Sequence, residues 1–154
     1  MRSLLCAALI FLVFGRATAG PQHCTFRVHI TANAKDGSAF AQPVPSFNGG
    51  KVFIEKTPWL SERDVKAFRP YHAADGSYAA LLEFDDHGRT VLDTLSVERR
   101  GSSLFVFLNG RALTELLVDR RVSDGKMYLA SGLTEADIKL MNKDWKLMDG
   151  RKKK

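Results

Sequence analysis

The chain has 154 residues, 45% of them hydrophobic, with 23 basic and 17 acidic side chains and two cysteines, which fits a single domain with its own core. Its formal net charge of +6 comes from the two ends: Arg2 and Arg16 precede Gly20, and four basic residues form Arg151-Lys152-Lys153-Lys154, so the 17 acidic residues are matched by equal basic charge between Gly20 and Gly150. A neutral body excludes a nucleic-acid-binding domain, which carries its excess charge on the folded surface, and the basic C-terminal tail is expected to be a solvated end.

Arg2 is followed by an apolar run, Leu4 to Phe14, and then by Ala17-Thr18-Ala19, the small-x-small pattern that signal peptidase accepts. The run is about half the roughly 20 residues needed to span a bilayer. A signal peptide over residues 1–19 is therefore expected, with cleavage after Ala19 and export to the periplasm or the extracellular space. No later stretch approaches transmembrane length, so no integral membrane segment is expected after cleavage. Cys6 would leave with the signal. Cys24 follows Gly20-Pro21-Gln22-His23, which is not a lipobox, and would remain as a single thiol without an internal disulfide partner. The core must then hold the fold, although the compartment permits disulfides.

Thr25 to Ala34 sets Phe26, Val28 and Ile30 in alternation with Arg27 and His29, a strand with one buried face. Lys35 to Gly50 holds Asp36-Gly37, Pro43, Pro45 and Asn48-Gly49-Gly50 and reads as a long loop. Lys51 to Lys56 reads as a second strand. Leu60-Ser61-Glu62-Arg63-Asp64-Val65 and Leu133-Thr134-Glu135-Ala136-Asp137-Ile138 share one pattern. Ser61 and Thr134 are N-caps, Asp64 and Asp137 reach back as capping boxes, and Leu60 and Leu133 can staple across each cap. The pattern predicts a helix start at both places, as convergent capping chemistry rather than duplication. Tyr78 to Phe84 predicts a strand, and Asp85-Asp86-His87-Gly88 opens a helix that closes at Glu98-Arg99-Arg100-Gly101. Leu104 to Leu108 is apolar at every position, as in a central strand. Asn109-Gly110 predicts a type I′ turn into a returning strand, Arg111 to Val118. Asp124-Gly125 turns into Lys126 to Ala130, and a last helix carries Ile138, Met141 and Trp145 on one stripe. This order predicts an α+β fold, a two-layer antiparallel or mixed sheet covered by about three helices. The expected units are the signal (1–19), a strand and Pro/Gly-rich loop (20–50), the α+β domain (51–148) and the basic tail (149–154).

No catalytic constellation emerges. Asp85-Asp86-His87 has metal-binding side chains, but neighbours on a chain point apart and cannot close a site alone. A solvated turn with helix capping is the preferred reading, so no metal and no cofactor are expected. Cys24 has His23, His29 and His72 as potential bases but no nucleophile signature around it. No Gly-x-Ser-x-Gly, His-Glu-x-x-His or P-loop spacing is present. Three residues are kept as candidate partner contacts. Trp59, beside Pro58 in a loop, is read as core first and as a contact second. Arg120 and Arg121 are read as surface charge first and as anion contacts second.

The stretches Leu60 to Val65, Leu82 to Gly88, Leu104 to Arg111 and Ser131 to Ala136 resemble the head region of the large extracytoplasmic loop of the protein-export translocase subunit SecD. The resemblance covers roughly residues 51–146, and its most specific part is the helix, apolar strand and Asn-Gly hairpin at this spacing. The chain departs from that family in several ways. It has no membrane helices after its signal, so it cannot form that family's proton path. It has Leu116 where the family tends to have proline, and Thr25 to Ala34 lies outside the match. The resemblance implies a SecD-head-like fold and the handling of extended polypeptide, not an activity. The leading expectation is an exported, non-enzymatic binding or interaction module with a protein or peptide partner. The alternative is a periplasmic or secreted enzyme, or an enzyme accessory, with an unrecognised site.

Intact-mass measurement of the chain expressed in a bacterial host checks the N-terminus. The expected product begins at Gly20, and a full-length membrane-bound product contradicts the signal assignment.

Overall fold

A computed structural model of the chain describes residues 22–148; the signal segment and the basic tail named above lie outside the described residues. The strands are β1 (Phe26–Ile30), β2 (Ala41–Pro45), β3 (Lys51–Glu55), β4 (Leu60–Ser61), β5 (Val65–His72), β6 (Tyr78–Phe84), β7 (Ser103–Leu108), β8 (Arg111–Leu117), β9 (Lys126–Leu133) and β10 (Lys146–Leu147). The helices are α1 (Asp86–Glu98) and α2 (Glu135–Asp144), and 3-10 turns lie at Ala34–Asp36 and Glu62–Asp64. The described residues thus form a mixed α+β fold with three sheets, of order β4-β1-β7-β8, β10-β5-β6-β9 and β2-β3. Among them, no helix is long and apolar enough to cross a membrane.

Both four-stranded sheets feed one core. From the first come Phe26, Val28 and Ile30 on β1 and Leu104, Val106 and Leu108 on β7, paired residue by residue in an antiparallel register. From the second come Phe68, Leu82 and Leu129. Leu92 and Leu95 of α1 and Ile138 and Met141 of α2 complete the core with Trp145, whose indole meets Phe26 edge-on with ring centroids 6.3 Å apart. Burying such side chains stabilises by about 1.5–3 kcal/mol each. The strand at Leu104 to Leu108 is central, as its unbroken apolar run predicts. Its other face, with Phe105 and Phe107, meets His29, whose Nδ1 donates to the Glu55 carbonyl (2.7 Å) and so ties β1 to the β2–β3 hairpin. Ser46 Oγ on the hairpin donates to Glu115 of β8 (3.1 Å).

Three expectations are corrected. First, the segment from Lys35 to Gly50 is not a long loop, because it contains β2, paired with β3 from Ala41↔Glu55 to Pro45↔Lys51. Pro43 and Pro45 cannot donate to a ladder, so β2 is tolerated only as an edge. Second, the capping box at Ser61 does not start an α-helix. Ser61 and Asp64 make the reciprocal cap bonds, yet the chain leaves after one 3-10 turn into β5. A cap supplies a few hydrogen bonds but helix growth needs compatible residues beyond it. Here Pro70, six residues after Asp64, would break a helix, and Val65-Lys66-Ala67-Phe68 pairs with β6 instead. Third, the described residues hold two α-helices rather than about three. The same box at Thr134 does open α2, because Ile138 and Met141 follow at helical spacing.

Asp64 and Asp137 are both buried. Burial alone would push their carboxyls up. Bonds from each cap residue outweigh it, with His87 adding at Asp64 and Asn109 and Arg111 adding at Asp137, so both sit below the usual carboxylate range. A carboxyl with a folded-state pKa below its unfolded value stabilises fully above the unfolded value and loses that contribution as pH falls through the folded one. The urea midpoint should therefore fall as pH drops from about 5 to about 2. An Asp137→Asn variant should be less stable at neutral pH, with a shallower acid limb. An unchanged neutral-pH midpoint in that variant contradicts this reading.

The type I′ turn is present, with Asn109 at φ 50° and Gly110 at φ 80°. A Cβ on Gly110 would meet nothing within 4 Å, so Gly110→Val acts only through backbone conformation. The cost of about 1–2 kcal/mol should lower Tm by roughly 4–10 °C. Gly88→Ala tests the opposite case: its Cβ would lie 2.8 Å from Phe84 Cβ, and the loss should come from overpacking at an ordinary helical φ. Thermal melts of both variants check this, and an unchanged Tm in Gly110→Val contradicts the turn assignment.

Candidate functional site

An open cleft lies where the terminal strands of the two four-stranded sheets part. β8 ends the first sheet and β9 ends the second. At one end the two are pinned together. Arg111 Nη2 donates to the Gly132 carbonyl (3.0 Å) and to Asp137 Oδ2 (2.5 Å), and Asn109 Nδ2 donates to Asp137 Oδ1 (2.7 Å). Gly132, at φ 88°, lets β9 pass close to Leu113, where a Cβ would sit 3.3 Å from Leu113 Cδ1. At the other end the strands diverge around a cleft of about 770 Å³. Leu92 of α1, Leu104, Met127 and Leu81 are among the side chains that line it, and Leu116, Leu117 and Tyr128 border it from the two strands. Leu117 is 63% exposed and Tyr128 53%, so both present apolar surface at the cleft's border.

The β8–β9 loop closes the far end and is anchored to α1. Arg121 makes a bidentate pair with Asp93, Nε to Oδ1 at 2.6 Å and Nη2 to Oδ2 at 2.8 Å, and this pair holds the Asp93 carboxyl below its usual range. Val122 N–H donates to Ser96 Oγ (2.9 Å), and Gly125, at φ 66°, packs against Arg89 so closely that a Cβ would clash with it. Arg120 and Lys126 are exposed on the cleft's border beside Asp119 and Asp124.

The three candidate contact residues divide. Arg120 and Arg121 both line the cleft, Arg121 while engaged with Asp93. Trp59 does not line it. Its Nε1 donates to Glu55 Oε2 (2.7 Å), and the Arg99 guanidinium, paired to Glu55 at 2.8 Å, lies 5.9 Å from its ring centroid. Trp59 is half-buried against the core, as its first reading expects. Sequence reasoning missed Leu117 and Tyr128. The available signal was Leu116-Leu117-Val118, where the alternation of a half-buried strand fails.

Two features bear on chemistry. Cys24 is buried, and burial, followed by Asp144 and Asp137, pushes its thiol up to about 12, so it stays protonated and is a poor nucleophile. Among the described residues, Asp64, Asp85 and His87 each offer a ligand atom within 4.8 Å of the others. Asp86, their neighbour in sequence, is exposed and turns to Arg89 instead.

No family model matches the chain, and no curated protein sequence matches it. Solved structures do match. One is SecDF, described as a membrane component that enhances protein export, with a TM-score of 0.56 and 16% identity over 82% of this chain. Another is SecDF in a super-membrane-facing form, with a TM-score of 0.54 and 15% identity over 81% of this chain. This chain spans 65% of the first chain and 19% of the second. At this identity the likeness is one of fold, and it establishes a SecD-like fold for this protein.

Proposed function

We propose that this protein is an exported, non-enzymatic interaction module that receives an extended polypeptide segment along the β8–β9 cleft. The observation that carries the reading is the state of the sheet edges. β4 and β10 are two residues long, and β2 carries Pro43 and Pro45. Short strands and prolines are the usual means of keeping an edge from pairing with another chain. β8, with seven residues, and β9, with eight, have neither protection and border the cleft.

An added strand would pair through backbone groups, which tolerates many sequences, while Leu117, Leu116 and Tyr128 would take apolar side chains at alternate positions. Val118 N–H donates to Ser102, so strand alternation aims the Leu117 N–H away from β7 and toward the cleft side. Arg120 and Lys126 would meet acidic side chains or a carboxylate, with a secondary role because exposed pairs contribute about 0–1 kcal/mol. The SecD-like fold supports a place in protein export, since the matched structure is described as enhancing it. The neutral body supports weak salt dependence, with little counterion release available.

Fluorescence anisotropy with a labelled unfolded polypeptide tests this. Binding is expected to be on the order of micromolar, to change little with salt, and to survive removal of Arg151 to Lys154. Leu117→Lys places a charge on the edge and should weaken binding by about tenfold or more while leaving the melting curve near that of the parent. No binding by the parent, or equal binding by Leu117→Lys, overturns the proposal. Tight binding of a nucleic acid by the tail-less chain would also overturn it.

A further inference from the structure

We propose that Asp64, Asp85 and His87 form a divalent-cation site suited to zinc. They come from two parts of the chain: Asp64 ends the 3-10 turn before β5, while Asp85 is the N-cap of α1 and His87 lies in its first turn. The backbone joins them, since Asp85 N–H donates to the Asp64 carbonyl (2.8 Å). Gly88 permits the approach, because a Cβ there would lie 3.0 Å from Asp64 Cβ as well as against Phe84. Tetrahedral zinc holds imidazole nitrogen and carboxylate oxygen at about 2.0–2.2 Å, which sets ligand atoms about 3.3–3.6 Å apart. The group is contained within 4.8 Å, and its hydrogen-bonded pair, Asp64 Oδ1 and His87 Nδ1 at 2.7 Å, would have to open slightly to admit the ion.

Each side chain can turn one atom to the ion. Asp64 Oδ2 accepts from Ser61 N–H (2.7 Å) and Ser61 Oγ (3.1 Å), while Oδ1 accepts from His87 Nδ1 (2.7 Å), a hydrogen bond whose proton the ion would replace. Asp85 Oδ1 accepts from Gly88 N–H (2.8 Å), which leaves Oδ2. These bonds to the far oxygens are the kind of outer-shell support that orients metal-binding carboxylates. The His87 side chain is 70% exposed, so a fourth position faces solvent.

Capping explains Asp64 and Asp85 one at a time but not their meeting. The equivalent capping acid of α2 shows the difference: the oxygens of Asp137 are met by the Arg111 guanidinium and the Asn109 amide. At Asp64 the His87 imidazole stands in place of a guanidinium. The outward Asp64 oxygen faces that imidazole and a second carboxylate. The helix end contributes about half a positive charge, against two negative ones from the carboxylates. A divalent ion balances what remains and takes up the imidazole nitrogen as a ligand.

Calorimetric titration of the purified full chain with zinc chloride, paralleled by visible absorption with cobalt(II), tests the site. The expected result is one ion per chain and the absorption bands of a tetrahedral cobalt centre. Asp85→Asn is the informative variant, because asparagine caps a helix as well as aspartate does. It should keep the parent Tm and lose about tenfold or more in zinc affinity, and His87→Ala should lose as much. Absence of zinc binding at about 1 mM overturns the site. So does zinc binding of parental strength in either variant, which would move the ion to His23, His29 or His72.

Discussion

The Asp137 carboxylate is the junction on which the architecture depends. It accepts from the backbone and hydroxyl of Thr134 to start α2, from the Asn109 amide in the β7–β8 turn, and from Arg111 at the head of β8. Asn109 also exchanges bonds with Thr25 at the start of β1, accepting at its side chain (3.1 Å) and donating from its backbone (2.9 Å). One buried acid thus fixes a helix, a turn and the point where β8 and β9 meet. A buried charge holds this position only if its partners are all present, which makes the junction all-or-none. Because the strands are pinned here, their divergence is confined to the opposite end, and the cleft opens there.

The second constraint is the loop that bridges the open end. Without the Arg121–Asp93 pair and the Val122–Ser96 bond, the loop could fold inward over Leu117 and Tyr128 and bury them. Held to α1, it leaves them exposed. The exposed apolar border is therefore a consequence of polar contacts made elsewhere, and the two arginines differ in task. Arg121 shapes the cleft, while Arg120 is the one available to a ligand.

Much of this was legible in the residues. Tyr78 to Phe84, the Asn109-Gly110 turn, α1 and α2 follow from alternation, turn chemistry and capping, all of which are local. The failures were also local signals, outvoted by distant ones. The Ser61 box is as complete as the Thr134 box, but Val65 to His72 finds β6 across a turn and Pro70 forbids a longer helix. Pro43 and Pro45 speak against a strand, yet a strand whose free side needs no donors can hold them. The cleft was half legible. Arg120 and Arg121 were recognisable as candidates, whereas Leu117 and Tyr128 are ordinary strand residues until one knows that their strands are terminal. Sheet order is a property of long-range pairing, and no window of sequence contains it. The same holds for Asp64, which lies more than twenty positions before the Asp85 and His87 it joins.

The central claim is that the unprotected edges of β8 and β9 accept an added strand. Amide hydrogen exchange reports this directly, since an outward N–H such as that of Leu117 exchanges readily until another backbone pairs with it. The account predicts that an unfolded polypeptide slows exchange at alternate amides of β8 or β9, while the β2 edge with Pro43 and Pro45 is unchanged. Protection confined to β2, or binding that leaves the amides of both β8 and β9 as they were, would contradict it.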